Sequence, residues 1–185
     1  MKRILSIVLT LLLLTGCSRE DTGMERAMNL RNALLQRSVT FDAAITADYG
    51  SYRCSFVLNC KADRNGVVDF TVKEPQAIAG ITGSISPKGG KLTFEGLSLG
   101  FELLADGTVS PVSAPWILMK TLRSGYLTSS GNDGQLLRIS LDDSYEEDAL
   151  HLDIWLSNED VPLRGEIYWQ GRRILSVNVD NFAFV

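Results

Sequence analysis

From Val39 to the end of the chain, apolar residues recur at every second position, and this periodicity constrains the fold more than any other feature. In the first run, residues 39–49, apolar side chains alternate with Thr40, Asp42, Thr46 and Asp48. A period of two is typical of strands that bury one face and expose the other. Glycine turns at residues 50–51 and 63–66 separate the first runs, so the pattern predicts an antiparallel meander.

Two segments have helical spacing instead. Residues 24–37 combine spaced apolar residues with charges between them, which predicts an amphipathic helix. Residues 113–125 begin with a capping serine and an early proline and end with glycine, so they predict a second helix. Apolar residues cover most of its circumference, as expected of a plug or lid in an apolar concavity: Trp116, Ile117, Leu118, Met119 and Leu122.

The remaining strands complete an α+β fold. One helical turn is predicted at residues 75–80, and strands are predicted at residues 52–60, 67–72, 81–85, 91–94, 97–101, 136–141, 149–156, 163–169 and 173–184. A helix, a meander, an apolar central helix and a returning meander together describe a strongly curved antiparallel sheet around helices.

The N-terminus predicts export and lipid anchoring. Lys2 and Arg3 precede an apolar run that ends in small residues, which is typical of a cleaved signal peptide over residues 1–16. Leu14-Thr15-Gly16-Cys17 resembles the lipobox of bacterial lipoproteins, in which a diacylglycerol is attached to the cysteine. The alternative is an ordinary secretory signal with a chance cysteine. We expect lipidated Cys17 and a short tether over residues 17–23, on the extracytoplasmic side of the cell envelope.

The charge of the mature chain argues against nucleic acid as a partner. The full sequence of 185 residues has 18 basic and 22 acidic residues, and loss of Lys2 and Arg3 takes its net charge from −4 to −6. Nucleic acids and anionic lipid surfaces both require basic patches. The membrane is therefore expected to hold the protein through its lipid, since two or more acyl chains anchor a protein stably. The length suits a single domain, residues 24–185.

This order of elements resembles the LolA/LolB-like superfamily over nearly all of residues 24–185. That superfamily includes lipoprotein carriers and receptors, LppX/LprG-type lipoproteins and GerS-like lipoproteins. Local resemblance lies in Val39-Thr40-Phe41-Asp42-Ala43, Pro162-Leu163-Arg164, Ile174-Leu175-Ser176-Val177 and Asn181-Phe182-Ala183-Phe184. The resemblance implies a half-barrel whose apolar concave face, closed by helices, accommodates acyl chains in some members and partner proteins in others.

Cys54 and Cys60 lie on one predicted strand, six residues apart. At about 3.3 Å per residue their backbones are roughly 20 Å apart, whereas a disulfide requires Cα atoms within about 7 Å. No Cys-x-x-Cys motif or His/Cys cluster accompanies them, which favours buried free thiols over a metal or redox site.

Signals for enzyme chemistry are weak. His151 is the only histidine, and no nucleophile elbow or phosphate loop accompanies it, so we interpret it as a non-catalytic surface residue. The acidic run at Asp142, Asp143, Glu146, Glu147 and Asp148 could hold calcium, but it lacks the spacing of an EF-hand loop, which favours a solvated hairpin. We expect no cofactor and no catalytic residue.

Two functions remain, and they differ in whether the concave face is open. A carrier or receptor of a lipid or acyl chain would have an empty apolar groove, lined by Phe41, Ile45, Phe56, Phe70, Phe94, Trp116, Met119, Ile154 and Trp169. A lipoprotein that acts by binding an envelope protein would fill that space and present an exposed apolar patch or strand edge instead. The same nine residues could also be ordinary core.

Overall fold

The computed structural model describes residues 22–102, 104–105 and 108–185. The predicted signal peptide, Cys17 and most of the predicted tether lie outside these residues. Helix α1 spans Thr22–Gln36 and helix α2 spans Ala114–Ser124. The strands are β1 (Val39–Asp48), β2 (Arg53–Ala62), β3 (Val68–Glu74), β4 (Thr82–Ser86), β5 (Gly89–Phe94), β6 (Leu97–Phe101), β7 (Leu104–Ala105), β8 (Thr108–Val109), β9 (Tyr126–Asp133), β10 (Leu136–Asp142), β11 (His151–Leu156), β12 (Pro162–Trp169) and β13 (Arg172–Phe184).

Eleven strands form one curved, unclosed antiparallel sheet in the order β6-β5-β4-β3-β2-β1-β13-β12-β11-β10-β9. Strands β7 and β8 pair separately as a short hairpin. The first and last long strands, β1 and β13, therefore lie side by side near the middle, and β6 and β9 are the edge strands of the sheet among the described residues. This architecture confirms the predicted α+β fold class.

The helices lie against the concave face. Helix α1 packs on β9 and β10, while α2 packs on α1 and contacts β2, β10 and β13. The odd-numbered residues of β1 from Val39 to Ala47 are all buried on this face, as the alternation predicted. Their neighbours on β2 and β13 continue the same core. No helix among the described residues is long and apolar enough to cross a membrane.

Two predicted details of the helices are wrong. Helix α1 begins at Thr22, two residues earlier than predicted, so it includes the end of the predicted tether. Ser113 does not cap α2, because a 3-10 turn at Pro111–Ser113 runs directly into the helix and gives Ser113 helical backbone angles. Its hydroxyl is buried and has no hydrogen-bond partner among the residues that the structure describes.

Strand β9 was not predicted. Its sequence is mostly polar after Leu127, and most of its residues are exposed, so it has no apolar alternation. Backbone pairing with β10 forms the strand instead.

The two cysteines of β2 are both free, as predicted. They lie on the concave side of the same strand, where Cys60 is buried and Cys54 is only half-buried. Burial and the nearby Asp42 carboxylate raise the pKa of the Cys60 thiol well above its usual value.

Candidate functional site

Most of the predicted groove is filled with side chains. Six of its nine residues are at most 8% exposed and belong to one continuous core: Phe41, Ile45, Phe70, Trp116, Met119 and Ile154. Phe56 and Trp169 are half-buried against that core. Phe94 is 50% exposed and lies near one end of the sheet. The nine residues therefore do not line one common open groove in this structure.

Helix α2 fills the centre of the concave face. Nearly every residue from Ala114 to Arg123 is buried, including Leu118, which is fully buried. Leu118 packs directly on Gly165 of β12, where an added Cβ would lie 3.0 Å from its Cδ1. A glycine at this position lets the helix approach the sheet closely.

Polar contacts along its length fix α2 in place. Trp116 Nε1 donates to the Gly66 carbonyl at 2.9 Å, in the turn between β2 and β3. Arg123 Nε donates to the Leu34 carbonyl at 3.2 Å. Arg31 of α1 donates to the carbonyls of Leu122 and Gly125, at 2.9 and 2.6 Å. The helix is therefore a fixed part of the core, in line with the plug interpretation.

A cavity lies beside this helix. It has a volume of about 310 Å³ and we call it the tryptophan pocket. Trp116 and Trp169, two residues of the predicted groove, line it together. The complete lining is Val109, Trp116, Ile117, Lys120, Asp143, Ser144, Asp148, Ala149, Leu150 and Trp169.

The tryptophan pocket has apolar walls and a charged rim. Lys120 Nζ forms a salt bridge with Asp143 Oδ2 at 3.0 Å and lies 5.8 Å from the centre of the Trp116 ring. Asp143 Oδ1 accepts a hydrogen bond from the Leu150 amide at 2.8 Å. The pocket can therefore surround an apolar group and place a polar end near Lys120 and Asp148.

The concave face is also open at the β6 end of the sheet. Pairing of β5 with β6 places Leu92 beside Leu99 and Phe94 beside Leu97. Phe94, Leu97 and Leu99 are 50%, 77% and 67% exposed. We call this surface the apolar arm, defined by Leu92, Phe94, Leu97, Leu99 and Phe101. It continues the buried face of the sheet beyond the helices, because Gly83 of β4 pairs with Leu92.

A tight hairpin forms the tip of the apolar arm. Glu95 and Gly96 both have positive φ, at 47° and 82°, which is typical of a type I′ turn. Among the described residues, no strand pairs with the outer edge of β6. This edge therefore presents unpaired backbone groups beside an exposed apolar face.

The opposite face of β10–β13 carries a cluster of ion pairs that the sequence analysis missed. Arg138 Nη2 donates to Asp153 Oδ2 at 2.6 Å, and both Arg164 and Arg173 pair with Glu166. The Asp153 and Glu166 side chains are only 4% and 5% exposed. We call these five residues the outer-face cluster.

Trp155 lies between two arginines of the outer-face cluster. The centre of its ring is 5.7 Å from Cζ of Arg138 and 4.7 Å from Cζ of Arg164. Burial alone would raise the pKa of Glu166, but hydrogen bonds from Tyr168, Arg164 and Arg173 outweigh it and lower that pKa below its usual value.

His151 has a partner that the sequence analysis did not identify. Its Nδ1 is 2.7 Å from Asp142 Oδ1, because the two residues face each other on β10 and β11. The nearby Ser140 hydroxyl donates to Asp153 at 2.7 Å rather than to the histidine. A Ser-His-Asp relay is therefore not assembled here.

The acidic run around the β10–β11 connection does not converge on a metal. Asp142 pairs with His151, and Asp143 pairs with Lys120. Within the described part of the chain, no group of three or more His, Cys, Asp or Glu residues could hold a metal ion.

Comparison with known proteins bears on the fold alone. No protein-family model and no curated protein matches the sequence. An uncharacterized conserved protein from Thermus thermophilus is similar in structure, with a TM-score of 0.50 and 9% identity over 88% of this chain and 87% of that chain. The curved, unclosed antiparallel sheet with two helices agrees with the architecture that the sequence predicted.

Two further solved structures align with this chain at lower scores. A LolA superfamily protein from Nitrosomonas europaea aligns with a TM-score of 0.45 and 7% identity, covering 86% of this chain and 93% of that chain. Lipoprotein LppX from Mycobacterium tuberculosis aligns with a TM-score of 0.43 and 9% identity, covering 87% and 93%.

Proposed function

We propose that the protein is a non-enzymatic lipoprotein of the bacterial cell envelope that binds a hydrophobic ligand, a lipid or acyl chain, in the tryptophan pocket. The observation that carries this proposal is the cavity of about 310 Å³ that Trp116 and Trp169 line beside helix α2. Ligand sites are typically cavities of about 300–1,000 Å³ with apolar walls and a few polar groups. The tryptophan pocket therefore suits one chain with a polar end, rather than several chains.

The three tryptophans of the sequence provide a direct test of this site. Trp116 and Trp169 line the pocket, whereas Trp155 lies on the opposite face of the sheet. A brominated fatty acid quenches tryptophan fluorescence on contact. We expect quenching in Trp155→Phe, which keeps both pocket tryptophans, and little in a Trp116→Phe/Trp169→Phe variant that is folded by circular dichroism. Absence of quenching in Trp155→Phe, or equal quenching in both variants, would contradict the proposed site.

We further propose that lipid on Cys17 anchors the protein to a membrane of the envelope, on its extracytoplasmic side. The support is the lipobox-like Leu14-Thr15-Gly16-Cys17 after a charged and apolar leader. Cys17→Ser is expected to abolish acylation and leave unprocessed precursor in the cell. Mature protein in the medium, cut at another site, would argue against a lipobox.

The apolar arm favours a second candidate function, the binding of an envelope protein. A filled core with an exposed apolar edge is the arrangement expected of an interaction lipoprotein. The observation that favours this second function is the exposure of Leu97 and Leu99, whose side chains are 77% and 67% exposed. Substitution of both by Ser should then reduce partner binding and leave fatty-acid quenching at the tryptophan pocket unchanged. If this variant still binds the partner, the apolar arm is not the binding surface.

A further inference from the structure

We propose that the outer edge of β6 is a dimerisation edge, at which two copies of this chain pair antiparallel through Leu97–Phe101. This inference rests on the second candidate function and names its partner, and it is independent of ligand binding at the tryptophan pocket. Three features of the edge support it: its free backbone groups, its self-complementary sequence and the contrast with the other edge of the sheet.

The turn at Glu95–Gly96 fixes which backbone groups are free. In a hairpin with a two-residue turn, the residues that flank the turn exchange hydrogen bonds with each other, and this arrangement alternates along the strands. Phe94 and Leu97 flank the turn, so Leu97, Leu99 and Phe101 direct their backbone groups toward β5. The N–H and C=O groups of Ser98 and Gly100 then point outward, where no described strand pairs with them.

The sequence of β6 is complementary to itself in antiparallel pairing. A two-fold axis through Leu99 places Ser98 of one copy opposite Gly100 of the other, so their outward groups can exchange hydrogen bonds. The same register places Leu97 opposite Phe101 of the second copy. All the apolar side chains then lie on one face, while Ser98 and Gly100 lie on the other. The strand itself carries no charge and no proline that would oppose this pairing.

The other end of the sheet explains why pairing would stop at two copies. Strand β9 is mostly polar, has a register irregularity opposite Ser140 and Leu141, and is flanked by α1. Pairing of β6 with β9 of another copy would place Leu97 and Leu99 beside serine and asparagine side chains. Contacts of that head-to-tail kind propagate into filaments, whereas β6–β6 pairing about a two-fold axis closes on itself.

Cysteine cross-linking of the full chain in the membranes of its host tests the register. Position 99 faces its own counterpart in a non-hydrogen-bonded pair, with Cα atoms about 4.5 Å apart, which is within the range for a disulfide. Leu99→Cys is therefore expected to give a disulfide-linked dimer on mild oxidation. Leu97→Cys is the matched control, because it has similar exposure but lies about 13 Å from its own counterpart in this register. We expect at least a tenfold weaker dimer band from Leu97→Cys. The wild-type chain is the control for any cross-linking through the native thiols.

A second substitution tests the hydrogen bonds. Gly100→Pro removes an outward N–H and spares the ladder with β5, so adding it to Leu99→Cys should abolish the dimer band. Equal cross-linking at positions 97 and 99, or an unchanged band with Gly100→Pro, would overturn the β6–β6 register. A Leu99→Cys adduct of another mass, without dimer, would overturn self-pairing and retain the interaction function. Absence of any adduct would overturn both.

Discussion

The part of the sheet that the two helices cover contrasts with the apolar arm at the β6 end. The covered part consists of β1–β3 and β9–β13. Both parts have the same alternation of apolar and polar residues, yet Phe41 is 1% exposed and Phe94 is 50% exposed. Alternation shows that a strand has an apolar face, but it does not show whether another element covers that face. In this molecule, coverage depends on where α1 and α2 lie.

The size of the helices explains where coverage ends. A helix is about 10–12 Å across and strands lie about 4.8 Å apart, so one helix covers two or three strands of a sheet. Curvature brings more strands around the same helices, and α2 accordingly contacts β2, β10 and β13 together. The β6 end extends past this region, which leaves Leu97 and Leu99 exposed.

The largest expected difference between the two parts is in stability. Trp116→Ala removes a buried aromatic side chain and its hydrogen bond to Gly66, and should lower the free energy of unfolding by about 3–5 kcal/mol. Leu97→Ala in the arm is the control when both variants are measured in dilute, monomeric protein, with an expected change within about 0.5 kcal/mol because that side chain is 77% exposed in the single chain. Urea denaturation of both variants measures this. A small effect of Trp116→Ala would indicate a movable lid rather than a fixed plug.

A smaller effect is expected at the outer-face cluster, because its arginines are half exposed. Glu166→Gln leaves Arg164 and Arg173 without their carboxylate and should cost about 1–3 kcal/mol at neutral pH. Since the folded pKa of Glu166 is lowered, its stabilisation is full above the usual carboxyl pKa and is lost as the pH falls through the folded value.

Urea denaturation measured from neutral to acidic pH separates the stabilisation by Glu166 from that of other carboxylates. The Glu166→Gln variant should lose less stability on acidification than the wild type. Asp69→Asn, at an exposed position on β3, is the control and should follow the wild-type profile. Parallel profiles for wild type and Glu166→Gln would show that the cluster contributes nothing to the pH dependence.

The smallest expected effect is a difference in labelling rate between Cys54 and Cys60, two thiols of one strand that differ in burial. Cys60 is buried and burial raises its pKa, so little reactive thiolate forms at neutral pH. Cys54 is half-buried and should react faster with iodoacetamide in the native protein. Mass spectrometry of peptides after timed labelling gives both rates. Faster labelling of Cys60 would contradict the concave packing of β2.

The sequence predicted the bounds of helices and strands better than it predicted which residues pack around them. Strand β1 and helix α2 follow from local periodicity, and both lie within a few residues of their predicted bounds. Strand β9 was missed because backbone pairing, rather than an apolar pattern, forms it. Asp153 and Trp155 alternate with the apolar residues of β11, yet both are buried, and arginines from neighbouring strands pack against them. Such burial depends on strand neighbours, which periodicity does not specify.

The same limit applies to the candidate site. Eight of the nine predicted groove residues lie in or against the core, and Phe94 does not, but periodicity does not measure how much of the concave space α2 fills. Trp116 and Trp169 come together at the tryptophan pocket only through the three-dimensional fold. The exposed edge at Leu97–Phe101 depends on the strand order, since any strand with that sequence could have had two neighbours.

Hydroxyl-radical footprinting with mass spectrometry measures side-chain exposure directly and tests the division between a filled centre and an open arm. We expect strong labelling of Phe94, Leu97 and Leu99. We expect strong protection of Phe41, Phe70 and Met119, each at most 3% exposed. Labelling of Phe41 and Phe70 at rates comparable to Phe94 would show an open central groove and contradict the filled core described here.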